Sequence, residues 1–193
     1  MPSPTLDILK SLSVKRGPIL KVKTFHPYSV GLVITKLPKT KKSLLDKAAN
    51  AMRTRLRKLG SRLSMQIRCS HDKESVAEAI RGMVDNHCDL ILVIGPSATV
   101  DRRDVVPSGF LLAGGNIDLF GIPVDPGNLL LLGQLGDSKL VGVPGCARSL
   151  ALNGFDFILQ RLMAGIEISR EDIAHMGLGG LLKETPNRPQ PRE

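Results

Sequence analysis

Residues 89–107 read DLILVIGPSATVDRRDVVP. Leu90 to Ile94 is an unbroken apolar run, short and rich in β-branched residues, of the kind found in strands buried on both faces. It ends at Gly95-Pro96, passes through small polar residues, and arrives at Arg102-Arg103-Asp104. A strand with both faces buried needs helices on both sides of its sheet. The stretch therefore sets the expectation of an α/β architecture, with a polar, charged loop at the strand's carboxyl end.

The flanking sequence supports this. VGLVIT, Val30 to Thr35, is a second continuous apolar strand, followed by the basic loop KLPKTKK. Ser43 opens a helix, with Asp46 three residues on in the manner of a capping box. Leu45, Ala48, Ala49, Met52, Leu56 and Leu59 recur at helical spacing before Gly60 stops the helix, and Lys47, Arg53, Arg57 and Lys58 occupy its other faces. SMQIRC, Ser64 to Cys69, alternates like a strand with one face more exposed. Asp72 can cap a helix over KESVAEAIRGMVDNH, its Val76, Ile80, Met83 and Val84 facing inward.

Further on, SGFLLAGG from Ser108 reads as a short helix and NIDLFGI as a strand. NLLLLGQLGDSKLVGVPG gives two strands flanking Gly133 to Asp137. A final amphipathic helix is expected from Ser149 to Gly165, with Leu152, Phe155, Ile158, Leu159 and Leu162 on its core face. The tail MGLGGLLKETPNRPQPRE turns rich in Pro and charge and reads as a linker. The expected organisation is an extension over 1–29, one α/β domain over 30–168 and a tail over 169–193.

At 193 residues the chain suits one domain with a sizeable core. No run of about 18 apolar residues is present, which argues against a membrane span. Three widely spaced cysteines argue against a disulfide framework and for a reducing compartment, with cytoplasm the default. The net charge of +9 points to an anionic partner. With one Tyr, five Phe and no Trp, a groove that stacks bases is not expected, so nucleic acid is a poor match.

Ligands of open α/β sheets collect beyond the carboxyl ends of the strands. Three loops are placed there: Gly95 to Asp104, Pro126 to Asn128, and Pro144 to Ser149. Glycines allow close backbone approach, exposed amides hold phosphate, and Arg102 and Arg103 can pair with its oxygens. Asp104 can hold a divalent metal beside a nucleotide. Neither a Walker A motif nor a GxGxxG fingerprint is present. From residues alone the reading is a phosphorylated ligand at one edge of the sheet.

The order VGLVIT, HD before a helix, DLILVIGPSATVDRRDVVP, VDPGN and GVPGCARS resembles the molybdopterin-binding domain family, over about Val30 to Gly165. Arg102, Arg103, Asp104, Val105 and Pro107 match the second half of its central motif, and Val143 to Ala147 stand where it has a later Pro-Gly motif. The segments TVDRRDVVP, GIPVDPGNLLLLGQLG and GVPGCARSLALNGFD are most similar to a subgroup in which the domain precedes a cytidylyltransferase-type nucleotidyltransferase. The resemblance implies a three-layer α/β/α sandwich with a mostly parallel sheet, often trimeric. It implies a role in molybdenum cofactor biosynthesis or maturation, with molybdopterin or the molybdenum cofactor as ligand and Mg2+ with a nucleotide as a further cofactor. A nucleotidyltransferase domain or a molybdoenzyme is the implied partner.

Carried onto this chain, the implied acids are Asp72 and Asp104, with Asp104 also the metal contact. The implied ligand contacts are Gly95, Pro96, Ser97, Ala98, Thr99, Arg102 and Arg103, then Pro126, Gly127 and Asn128, then Pro144, Gly145, Cys146, Arg148 and Ser149. Pro96 stands where the family has a second glycine, which removes an amide. Asn128 replaces a lysine and Cys146 an Asn or Gln. These departures favour binding over adenylyl transfer, the alternative reading.

Each residue also has a plainer role. Asp72 and Asp104 can be helix caps, and Asp46 a first-turn carboxylate. The Cys146 thiol can be a small packing group rather than a nucleophile, and the run from Lys36 to Arg62 a solvated basic face. That face defines the other class of function, an interaction module for nucleic acid or protein. The His and Cys spacing is not that of a zinc site.

Overall fold

The computed structural model describes residues 3–16 and 22–182. A helix, α1 (Ser3–Arg16), precedes the sheet domain. From there the order is β1 (Ser29–Lys36), α2 (Lys42–Lys58), β2 (Arg62–Ser70), α3 (Lys73–Asp85), β3 (Leu90–Ile94) and α4 (Val105–Ala113). The chain continues with β4 (Asn116–Phe120), β5 (Leu131–Leu135) and β6 (Ser138–Val143), a 3₁₀ turn over Gly145–Arg148, α5 (Gly154–Met163) and α6 (Arg170–His175).

Six strands form one mixed sheet in the order β2-β1-β3-β6-β5-β4. β2, β1, β3 and β6 are parallel, while β5 is antiparallel to both β6 and β4. β4 consequently runs the same way as β6, and five of the six strands end at one edge. The chain steps from β1 outward to β2, then back past β1 to β3. That reversal falls between β1 and β3, and ligands of open α/β sheets bind beyond the carboxyl ends of the strands at such a point.

Both faces of the sheet are covered. Leu32, Ile34, Leu92 and Val141 on one face pack against Met52 and Leu56 of α2 and Phe155, Ile158 and Leu159 of α5. Val33, Ile91, Val93 and Leu140 on the other pack against Val76, Ile80 and Met83 of α3 and Phe110 of α4. All five residues of β3 are buried, as a central strand covered on both sides requires. The architecture is α/β, three layers deep.

Several elements depart from expectation. α2 starts at Lys42 without a side-chain cap, because Asp46 reaches across to Arg68 of β2 at 2.5 Å rather than back to the backbone. α4 starts at Val105, before Ser108; Pro107 falls in its first turn, where a missing amide costs nothing. The hairpin turns at Gly136-Asp137, and Gly133 lies inside β5, where a side chain would collide with the Asn116 carbonyl. The last long helix begins at Gly154 rather than Ser149, leaving Leu152 exposed. Asn153 sets that start: its side chain accepts from the Phe155 amide, while Asp156 accepts from the Asn153 amide. Of the tail, residues 169–182 include α6 and a bridge between Asp125 and Leu181; residues 183–193 lie outside the described residues.

Candidate functional site

The edge where the strands end carries the loops 95–104, 121–130 and 144–153. Two contacts tie them together. The Arg148 guanidinium donates to the Gly95 carbonyl, joining the third loop to the first. The Gly154 amide donates to the Pro126 carbonyl at 2.8 Å, joining the third to the second. Gly127 permits the second junction: it has φ +124°, and a Cβ there would collide with the Gly154 nitrogen. No other residue fits.

The third loop is held from below by a residue that the hydropathy pattern of α2 hides. Arg55 is 5% exposed. Its Nε donates to Asp156 at 2.7 Å, and its other nitrogens donate to the carbonyls of Ala147 at 2.8 Å and Ser149 at 2.7 Å. The guanidinium also lies 5.9 Å from the centre of the Phe155 ring. Such a fork of planar donors matches carbonyls spread along a turn, which lysine could not do. The sequence signal was available in outline: Arg55 follows Met52 by three residues and precedes Leu59 by four, which sets it at the edge of the apolar stripe rather than opposite it.

Arg148 is half-buried beside Gly95, and that burial pulls its pKa below the usual arginine value. Arg102 and Arg103 are exposed. Arg102 extends over the ring of Phe120 at the end of β4, 5.4 Å from its centre. A cation–π contact of this kind leaves the guanidinium edge open to an anion.

The first loop is organised by its own acids. Asp104 accepts from the amides of Val100 at 2.8 Å and Asp101 at 3.1 Å, and Asp101 accepts from the Arg103 amide at 2.7 Å. Asp104 occupies the residue before α4 but makes no side-chain cap bond there. Ser97 and Ala98 are exposed, Pro96 and Thr99 half-buried. In the other two loops, Asn128 and Ser149 are exposed, Pro126, Gly145 and Cys146 half-buried, and Pro144 buried. Among the described residues, no group of three His, Cys, Asp or Glu side chains is placed to hold a metal ion.

Asp72 caps α3, accepting from the Ser75 amide at 2.7 Å and its hydroxyl at 2.9 Å. These bonds hold its carboxyl below the usual aspartate range. Burial pushes the Cys146 thiol up, so it stays protonated and gains nothing as a nucleophile from its place in the loop. Burial, then the charge of Asp72, pushes Cys69 up to about 11.

The residue before Asp72 was missed. His71 follows β2, and its Nδ1 lies 2.8 Å from the hydroxyl of Thr35, itself buried at the end of β1. The ring packs beside Gly95: a Cβ on that glycine would lie 3.7 Å from His71 Cε1. Its signal in the sequence is the HD pair at residues 71–72.

No family model matches the chain, and no curated protein matches it in sequence. Solved structures do resemble it in trace. One is the molybdopterin biosynthesis protein MoeA from Pyrococcus horikosii, 20% identical with a TM-score of 0.46, covering 72% of this chain and 35% of that one. The chain thus spans about a third of that protein's length. Another is the molybdopterin biosynthesis enzyme MoaB from Thermus thermophilus, 14% identical with a TM-score of 0.47, covering 70% and 89%. A third is a molybdenum cofactor biosynthesis protein B, 17% identical with a TM-score of 0.49, covering 74% and 94%.

Proposed function

We propose that this chain binds a phosphorylated pterin, molybdopterin or the molybdenum cofactor, and serves in the biosynthesis or maturation of that cofactor. The observation that carries the reading is the junction at Gly95. There a half-buried arginine, a glycine-bearing loop and the carboxyl ends of β1 and β3 meet at the point where strand order reverses. A phosphate at that junction would take hydrogen bonds from exposed loop amides and from arginine, which pairs with phosphate oxygens through two parallel donors. The pterin is assigned from the sequence motifs TVDRRDVVP and GVPGCARS.

Binding rather than adenylyl transfer is the proposed role. The Asp104 carboxylate already accepts from two backbone amides, which makes it first a brace for its loop. Mg2+ with a nucleotide would have to be completed by the nucleotide's own oxygens. Pro96 lacks the amide that a glycine would offer there. A nucleotidyltransferase domain or a molybdoenzyme is the proposed recipient of the ligand, in the cytoplasm, with the chain as a trimer. No helix among the described residues is long and apolar enough to cross a membrane.

Native mass spectrometry of the chain purified from a host that makes the cofactor tests the reading. A bound pterin mass, lost in Arg148→Gln, is the expected result, and the same spectrum counts subunits. Apo protein throughout, or a pterin retained by Arg148→Gln, overturns the assignment.

A further inference from the structure

The chain's positive charge is not spread evenly over its surface. Between Lys36 and Arg68 stand eleven Lys or Arg and a single acid, Asp46, a balance of +10 against +9 for the whole chain. The remainder is close to neutral. These residues are also neighbours in space: they make the end of β1, all of α2 and most of the edge strand β2, which pairs only with β1. Two of the eleven are used internally, Arg55 by Asp156 and Arg68 by Asp46. The other nine are exposed, and none has an acidic partner among the described residues.

The fold gains little from this arrangement. Lys41 and Lys42 stand at the N-terminus of α2, where the helix dipole disfavours a cation, and Arg53 and Arg57 repel one another one turn apart. Arg53 donates to Asn50 at 3.0 Å and to Gln66 at 2.7 Å, neutral acceptors that leave its charge uncompensated and join the helix to β2 in one surface. Protecting the free edge of β2 from stray pairing calls for charge on that strand, yet most of these cations lie on α2 and the loop before it. Within the same segment Leu37 and Leu44 are each more than half exposed.

We propose that the solvent face of α2, with the loop 37–41 and Arg62, is a docking surface for a protein with an acidic face. Charge complementarity sets the sign of the partner, and the two leucines its class. A protein interface buries apolar groups inside a polar rim, whereas nonspecific binding to nucleic acid rests on cations alone. The setting of α2 agrees. Leu45, Ala48, Ala49, Met52 and Leu56 bury its inner side along most of its length, so it lies flush on the sheet and does not project as a helix entering a DNA groove must. At about 1.5 Å per residue its 17 residues span roughly 25 Å. That is close to the side of a patch of about 800 Å2, one half of a standard interface. A partner seated there adjoins the loop 144–153, whose carbonyls Arg55 holds from the buried side of the same helix. None of this depends on which anion binds at the carboxyl edge.

The probe is a fluorescent peptide of glutamates with leucine at every fourth position, titrated into the full chain at physiological salt and read by anisotropy. Arg53→Ala/Arg57→Ala/Lys58→Ala is expected to lower its affinity about tenfold or more, the combined effect of three exposed charges. Little change in melting temperature is expected, since none of the three makes an ion pair among the described residues. Leu44→Ser is expected to lower the affinity about threefold or more, as the loss of a partly buried apolar contact does. The matching triple outside the face, Lys73→Ala/Lys139→Ala/Arg170→Ala, is expected to leave it unchanged. Equal losses in the two triples mean diffuse attraction and overturn the inference. So does a peptide that the native chain fails to bind, or that either the first triple or Leu44→Ser binds as the native chain does. A DNA duplex or a phosphatidylserine vesicle bound more tightly than the peptide overturns it too, and assigns the face to another class of partner.

Discussion

The loops 95–104 and 144–153 lie side by side at the same edge of the sheet and are built on opposite plans. The first is tied mostly to itself: Asp104 and Asp101 accept from amides within the loop, and its arginines stand in solvent. The second is gripped from another element. Arg55 reaches from α2, close to 100 residues away in sequence, and takes two of its carbonyls and the Asp156 carboxylate. A self-tied loop can adjust to a ligand at little cost. A loop held by a buried arginine fork presents its groups, Arg148 among them, in one arrangement before any ligand arrives, which lowers the entropy lost on binding.

The sharpest way to break that contrast is Arg55→Met. It strands the Asp156 carboxylate and leaves backbone carbonyls without donors in a buried site, a loss of about 3–5 kcal/mol. Urea unfolding is expected to show this as a lower midpoint with little change in slope, while Asp104→Ala falls far short of it. Arg55→Lys keeps the charge without the fork and is expected in between. Equal stability of Arg55→Met and the native chain would mean that the third loop holds its own shape.

Arg148→Ala comes next and separates ligand affinity from stability. The side chain bonds the Gly95 carbonyl at the carboxyl edge of the sheet, so inorganic phosphate binding is expected to weaken about tenfold to a hundredfold, the range for a charge-assisted hydrogen bond of about 1.5–3 kcal/mol. Calorimetric titration beside thermal unfolding checks both halves. A large fall in melting temperature with affinity intact would make Arg148 a strut between the loops instead.

The exposed arginines rank below it. Arg102→Ala and Arg103→Ala are each expected to weaken phosphate binding several-fold, and Arg57→Ala on the outer face of α2 hardly at all, since an exposed charge contributes about 1 kcal/mol or less. Raising salt is expected to erase the Arg57 effect first. Equal losses for all three, vanishing together in salt, would favour diffuse binding to the basic face.

The smallest effects are chemical. Asp72, held below the usual aspartate range by the Ser75 amide and hydroxyl, contributes stability that is present above its unfolded pKa of 3.8. That contribution is expected to fade as pH falls through the lower folded value, and Asp72→Ala to flatten this part of an acid-unfolding curve. Cys69, pushed up to about 11, is expected to react slowly with iodoacetamide at pH 8 compared with a free thiol in the unfolded chain. Rapid alkylation in the native state would show that the end of β2 opens.

Much of this was legible in one dimension. The strands over Leu90 to Ile94 and Val30 to Thr35 could be read directly, because burial on both faces forces an unbroken apolar run. The Asp72 cap was legible for a similar reason: its partner, Ser75, lies three residues away. The placement of three loops at one edge followed from strand direction alone. The start of α5 was misread because apolar residues from Leu150 to Leu162 keep helical spacing, while the cap that matters, Asn153 with Asp156, competes with an equally polar Ser149.

What only the tertiary structure decided are the pairings between residues far apart in sequence. Asp46 looked like half of a capping box until Arg68 of β2 came within reach of it. Arg55 looked like one more charge on a basic helix until Ala147, Ser149 and Asp156 closed round it. His71 found the partner of its Nδ1 only once Thr35 lay beside it. The sequence by itself determined the layers and the edge where chemistry gathers, because apolar periodicity and helix caps act over a few residues. The folded chain decided which polar groups face one another there, because hydrogen bonds act over about 3 Å and take no account of separation along the chain.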